Sequence, residues 1–286
     1  MGMMMAAALL VLQGTAAQEA EVRSLTISVS DDKGAPVEGL VRDEVAVIEN
    51  GVARDVTLIE PDTRPLVVTV LVDTSEETGS SYRLNVTDAV TSFLGHLPDG
   101  ARFSIWTTGD RPTRILELTD DVAAASRALR RAPALGGNTM LDALVESTRD
   151  LKKLEGSRTV VLVVTGETPN LASRDRFVAA DEAAKNADMF LVAQYEEGSA
   201  DFEMRASYNY VFDTLAKKGG GRFETALSVM GLPLALQKLE SELKGRYRVS
   251  YATLPEIKTR KIEIQVARPG AKVRVGTRPS DSSAKP

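Results

Sequence analysis

The spacing of hydrophobic positions along the chain changes twice. Val22-Arg23-Ser24-Leu25-Thr26-Ile27-Ser28-Val29-Ser30 alternates apolar and polar residues, the pattern of a strand with one buried face. Asp31-Asp32-Lys33-Gly34-Ala35-Pro36 gathers turn formers behind it. Two more strand-like runs, Glu44–Glu49 and Val52–Ile59, flank Asn50-Gly51. Asn-Gly supplies the two positive-φ positions of a tight hairpin turn, so residues 18–64 read as a small β unit. Pro61-Asp62-Thr63-Arg64-Pro65 closes it.

From Leu66 the pattern switches to apolar runs separated by helical segments. Leu66–Val72 is an apolar, mostly β-branched run interrupted only by Thr69, as expected of a strand buried on both faces of a parallel sheet. Thr159–Thr165 and Met189–Gln194 repeat that character. Helices are predicted over Tyr82–Leu97, Asp121–Arg131, Asn138 to Leu154, Ser173–Ala187, Ala206–Lys217 and Val229–Leu243. Arg102–Thr108 reads as a strand, Arg114–Leu118 as a short edge strand, and Gly219-Gly220-Gly221 as a turn into a last short strand. Alternation of this kind predicts an α/β class with a doubly wound, mostly parallel sheet over residues 65–244. Residues 245–278 return to period two, at Tyr247–Tyr251 and Lys261–Val266, with a little more at Val273-Arg274-Val275. Their likeness to the first β unit suggests one flanking β module built from both ends. Residues 279–286 are polar and read as a disordered tail.

Composition narrows the chemistry. The formal charge of −5, with acids and bases interspersed, lacks the basic footprint of a nucleic-acid binder. There is no cysteine, which removes disulfides, thiol nucleophiles and cysteine zinc sites. The single histidine, His96, sits where a helix runs into a turn, and a capping role is expected there. Met1–Ala17 is apolar and ends in small residues before Gln18, as a signal peptide does, although no Lys or Arg precedes it. No later apolar run reaches membrane-spanning length, so the mature chain is expected outside the cytoplasm, periplasmic or extracellular, without a membrane span.

Oxygen-bearing side chains collect just past the predicted C-terminal ends of strands, where open α/β sheets bind ligands. They are Asp73-Thr74-Ser75-Glu76-Glu77, Asn138-Thr139 behind two glycines, and Thr165-Gly166-Glu167-Thr168. Hard oxygen ligands on separate loops suit a cation such as Mg²⁺.

These stretches resemble a von Willebrand factor type A domain. The resemblance is carried by the strand ending in Asp73-Thr74-Ser75, by Gly136-Gly137-Asn138-Thr139-Met140-Leu141-Asp142-Ala143-Leu144, and by the strand ending in Thr165-Gly166. The flanking Glu49-Asn50-Gly51-Val52 and Tyr247–Tyr251 are similar to an exported group of such proteins from acidobacteria. The resemblance implies a doubly wound sheet, a metal-ion-dependent adhesion site and a protein-binding, non-catalytic role. The family's motif is Asp-x-Ser-x-Ser, then Thr, then Asp. This chain keeps Asp73 and Ser75 but has Glu77 for the second Ser, Asn138 for the Thr unless the register moves to Thr139, and Thr165 for the Asp. Asp73, Ser75, Glu77, Asn138, Thr139 and Thr165 therefore make a degenerate candidate site for Mg²⁺ or Mn²⁺. Without a metal, the same residues would cap helices and satisfy loop amides. Two other readings stay open: a metal-assisted hydrolase using Asp73 and Glu77, and a structural envelope protein with a silent site.

Overall fold

Alternation at the start of the chain gives β1 (Glu21–Ser30), with Leu25, Ile27 and Val29 buried. The structure, a computed structural model, describes residues 21–154, 156–166, 174–194, 202–228, 230–253 and 260–280. The leader expected at 1–17, Glu167, Thr168 and residues 281–286 of the expected tail lie outside these residues, whereas Pro279 and Ser280, expected in that tail, pair with Leu25 and Ser24 as the end of a strand. One turn of 3-10 helix, Arg42–Glu44, leads to β2 (Val45–Glu49), which pairs antiparallel with β3 (Val52–Arg54). Between them Asn50 and Gly51 have φ of 51° and 81°, the left-handed turn expected of Asn-Gly. The single strand expected over Val52–Ile59 is instead broken at Asp55, a poor strand former. Its second half, β4 (Val56–Pro61), joins another sheet.

The middle of the chain alternates as its apolar runs require. In order come β5 (Leu66–Val72), α1 (Ser80–Gly95), β6 (Arg102–Thr107), β7 (Thr113–Thr119), α2 (Val122–Arg131), α3 (Met140–Leu151) and β8 (Arg158–Thr165). Then follow α4 (Arg174–Ala184), β9 (Asp188–Gln194), α5 (Phe202–Lys218), β10 (Arg222–Ala226) and α6 (Gly231–Lys244). Six strands form one sheet in the order β10-β9-β8-β5-β6-β7, parallel except for the edge strand β7. Every residue of β5, β8 and β9 is buried, because helices cover both faces. Val68, Val70, Leu162 and Val164 pack toward α1, α2 and α6; Val67, Leu71, Val161 and Val163 pack toward α3, α4 and α5. His96 Nδ1 lies 2.8 Å from Ser92 O at the end of α1, as its expected capping place requires, and Asp121 caps α2 by accepting from Ala124 N–H at 2.9 Å.

The chain ends in β11 (Arg246–Thr253), β12 (Ile262–Val266) and β13 (Lys272–Ser280). Strands from the two ends interleave in two antiparallel sheets, β13-β1-β11-β4 and β12-β2-β3. Ile27, Val29, Val45, Val47, Tyr247 and Val249 fill the space between them. The last strand is much longer than Val273–Val275 because it pairs along β1.

A buried ionic cluster ties this β module to the α/β layer at the N-terminal edge of the parallel sheet. Arg246 pairs with Asp188 at the start of β9. Arg64 Nη2 reaches Asp62 at 2.7 Å and Thr26 Oγ1 of β1 at 3.2 Å. Arg158 donates to Arg64 O at 3.1 Å and to Leu243 O at 3.2 Å. Burial, the largest influence on Asp62, pushes its carboxyl up, but the hydrogen bonds and charge of Arg64, with Arg158, hold it below the usual range. Burial likewise pushes Glu49 up, while Thr253, Arg260 and Arg54 together bring it below its ordinary value. Glu44 is lowered to about 2, first by its hydrogen bond from Arg268 and then by Val41 N–H. These folded values lie below the unfolded ones. The stability the carboxylates add is therefore full above the unfolded values near pH 4 and drains as pH falls toward about 2. A urea midpoint that stays flat between about pH 5 and pH 2.5 would contradict this coupling.

Candidate functional site

The parallel register brings three strand ends side by side. Val72 is level with Thr107 of β6 and with Val164 of β8. The ladder runs one step further, with Asp73 N–H on Val164 O at 2.9 Å and Thr108 N–H on Val72 O at 3.0 Å. Asp73 thus emerges from the middle of the sheet, between Thr108 and Thr165.

Protein donors converge on its carboxylate. Ser75 gives both its N–H and its hydroxyl to Asp73 Oδ1, at 2.9 and 2.8 Å. Asp73 Oδ2 accepts from Asn138 Nδ2 at 2.9 Å, from Thr165 Oγ1 at 3.1 Å and from Gly166 N–H at 3.1 Å. Asn138 Nδ2 also donates to Thr165 Oγ1 at 3.0 Å. On its other side, Asn138 Oδ1 accepts from Thr108 Oγ1 at 2.7 Å and Met140 N–H at 3.0 Å. A backbone N–H can only donate, so the contact with Met140 fixes the amide orientation and turns its NH₂ toward Asp73. Asp73, Ser75, Asn138 and Thr165 are 1%, 0%, 4% and 1% exposed, so this network is closed to solvent.

Four of the six expected residues are therefore brought together, and two are not. The register question resolves to Asn138, since Thr139 turns away and gives its hydroxyl to Thr108 O at 2.8 Å. Glu77 is exposed; Thr78 N–H and Oγ1 both close on Ser75 O, at 3.1 and 2.6 Å, and that turn carries Glu77 outward. Partial burial, and next the charge of Asp73, raise the Glu77 carboxyl above its ordinary value. Thr108, which joins the network through Asn138, is not singled out by the sequence, although it follows a strand's C-terminal end and the same rule could have found it.

Backbone bonds knit the loops above the network into one rim. Glu76 N–H meets Gly136 O at 3.0 Å, Leu135 N–H meets Thr74 O at 3.0 Å, and Asp110 N–H meets Gly137 O at 2.9 Å. Gly109 sits where they cross: a Cβ there would lie 2.5 Å from Thr74 O and 2.6 Å from Leu135 O, so only glycine fits. Around this rim Glu76, Glu77, Asp110, Arg111 and Leu135 are exposed.

Residues 68–168 match the family model of the von Willebrand factor type A domain, from within β5 to just past β8. Over this part the chain has a von Willebrand factor type A-like α/β fold. A von Willebrand factor type A protein from Catenulispora acidiphila shares the fold with a TM-score of 0.54 at 11% identity, covering 92% of this chain and 74% of that one. The von Willebrand domain of the type V pili tip protein Mfa5 from Porphyromonas gingivalis has a TM-score of 0.50 at 12% identity, over 62% and 94% of the two chains. The PilB minor pilin from Streptococcus sanguinis has 0.50 at 9% identity, over 64% and 62%. No curated protein sequence matches the chain.

The adhesion-site metal that type A domains imply can be tested against these donors. A divalent cation needs oxygen lone pairs aimed at a common point. Here the group facing Asp73 Oδ2 from across the sheet edge is an amide NH₂, which occupies the carboxylate as a cation would. The Thr165 hydroxyl also spends its proton on Asp73, and Glu77 stands outside. Among the described residues, no group of three or more His, Asp or Glu side chains is placed to hold a metal. In this arrangement the residues do not fit a divalent cation.

Proposed function

We propose that the chain is an exported, non-catalytic protein-binding module that docks its partner on the rim without a metal ion. The rim's construction supports this reading. Asp73, Asn138 and Thr165 lock the loops from below, and the contact surface is what stands above: Leu135, 48% exposed, with Glu76, Glu77 and Asp110 around it against one base, Arg111. A rigid, acidic rim about an apolar knob suits a protein partner that offers a socket edged with Lys or Arg. Export is supported by the apolar Met1–Ala17 stretch; among the described residues no helix is long and apolar enough to cross a membrane. The hydrolase reading loses its footing because the Asp73 carboxylate lies behind hydrogen bonds and not in an open pocket.

The test is partner capture from the native envelope fraction, with wild type and Leu135→Asp, each with and without EDTA. Leu135 is half exposed, so the variant should keep the melting temperature of wild type. Recovery is expected to fall at least about tenfold in the variant, since burying a leucine contributes about 1.5–3 kcal/mol. EDTA should change nothing. Equal recovery by both proteins would remove the rim as the docking face, and recovery abolished by EDTA would remove the metal-free part of the proposal.

A further inference from the structure

A cleft of about 380 Å³ lies between the two halves of the molecule, walled by β10 and α6 on one side and by β1, β13 and the turn after β1 on the other. Its lining includes five bases, Lys33, Arg222, Lys238, Lys272 and Arg274, against three acids. That is a local excess of positive charge in a chain whose formal charge is −5. The acids are already engaged. Glu242 meets Arg274 Nε at 3.3 Å and Arg222 Nη1 at 3.6 Å. Glu224 meets Arg222 Nε at 3.1 Å and Lys238 Nζ at 3.2 Å. The third acid, Asp32, is exposed at the lip and uses its backbone carbonyl to accept from Lys272 Nζ at 3.2 Å.

Positive charge remains once these pairs are made. Among the described residues the Lys33 ammonium has no ion pair, and Lys272 has only that carbonyl. Arg222 Nη2 is buried with no hydrogen-bond partner. That nitrogen is sealed from solvent, so it adds to the positive potential of the wall without itself meeting a ligand. The wall that holds Arg222 is fixed, since Arg274 Nη1 also donates to Gly221 O at 2.9 Å and Glu242 is only 8% exposed.

We infer that this cleft is a binding site for a small soluble phosphomonoester. A phosphate carries close to two charges and three or more acceptor oxygens directed apart, so it can meet Lys33 and Lys272 together in the field of the paired Arg222 and Arg274; a single carboxylate cannot. The volume lies within the range of small-ligand pockets and exceeds what a bare phosphate fills, which leaves room for an organic part. Because its walls come from the β module and from the α/β layer, a bound ligand also bridges the two.

Calorimetric titration of the full chain at low ionic strength tests this, with inorganic phosphate and glycerol 3-phosphate as probes and vesicles of phosphatidylglycerol as a separate arm. Wild type should give saturable heat with both soluble probes, tighter with glycerol 3-phosphate, and weaker as salt rises. Lys33→Gln/Lys272→Gln should bind at least about tenfold more weakly and melt as wild type does, both side chains being exposed. Three results overturn the inference: no saturable heat with wild type up to about 20 mM, equal affinity in the double variant, or binding to the vesicles alone.

Discussion

Asp73→Ala is expected to cost about 3–5 kcal/mol of folding stability, a large loss for a side chain outside the apolar core. The carboxylate accepts from Ser75, Asn138, Thr165 and Gly166, and alanine removes all of those acceptors together. Ser75 and Thr165 hydroxyls can rotate to other acceptors. The Ser75 and Gly166 N–H groups and the Asn138 amide cannot, and no water reaches a site where Asp73 is 1% exposed. Each donor left buried and unpaired costs about 1–3 kcal/mol. Urea unfolding of wild type and variant, with unchanged slope, measures the loss. The sign also separates two kinds of site. A carboxylate held open for a cation is a strained feature, and its removal leaves the metal-free protein as stable or more so. A carboxylate acting as the keystone of a hydrogen-bonded lock takes stability with it. A loss below about 1 kcal/mol would mean that the lock described around Asn138 does not hold the loops.

What was legible in the sequence follows from which positions are decided locally. β5 and β8 were readable because strands covered on both faces carry long apolar, β-branched runs, Leu66–Val72 broken only by Thr69 and Val160–Val164 unbroken. The Asn50-Gly51 hairpin was readable because few other residues accept its dihedrals. Asp73, Ser75 and Thr165 could be gathered because a parallel sheet aligns its strand ends, whereas Asn138, which precedes α3 and follows no strand directly, came in through the family resemblance. Glu77 could not be placed, because two residues past Ser75 the path depends on one turn, closed by Thr78 on Ser75 O, that spacing does not reveal. The choice between Asn138 and Thr139 depends on how the loop enters α3, and a shift of one residue there swaps which side chain faces Asp73. Nor does local pattern say that β4 leaves its hairpin at Asp55 to join β11. The same limit hid the cleft between the halves, whose bases come from four separate elements and look along the chain like ordinary surface charge.

Arg246→Ala should be nearly as damaging as the loss of Asp73, by a different route. Arg246 and Asp188 are 5% and 9% exposed, and the guanidinium lies over the Phe190 ring at 6.0 Å. Truncating the arginine leaves a buried carboxylate without its partner, which typically costs about 3–5 kcal/mol. The pair itself need not be worth that much. Arg246 Nε already has no hydrogen-bond partner among the described residues, so desolvation of the two charges is incompletely offset. Arg246→Leu/Asp188→Leu should therefore recover most of the stability that Arg246→Ala loses, and the difference between the two variants is the cost of the orphaned charge. Placement decides what else changes. Arg246 opens β11 in the β module and Asp188 opens β9 in the α/β layer, so their pair joins the two halves. Breaking it should separate what unfolds together in wild type: aromatic signals from Tyr247 and Tyr251 in β11 should be lost at lower urea than the far-ultraviolet signal of the helices. Coincident transitions in Arg246→Ala, with a midpoint shifted by less than about 1 kcal/mol, would show that the apolar contacts of β1 and α6 hold the halves together without it.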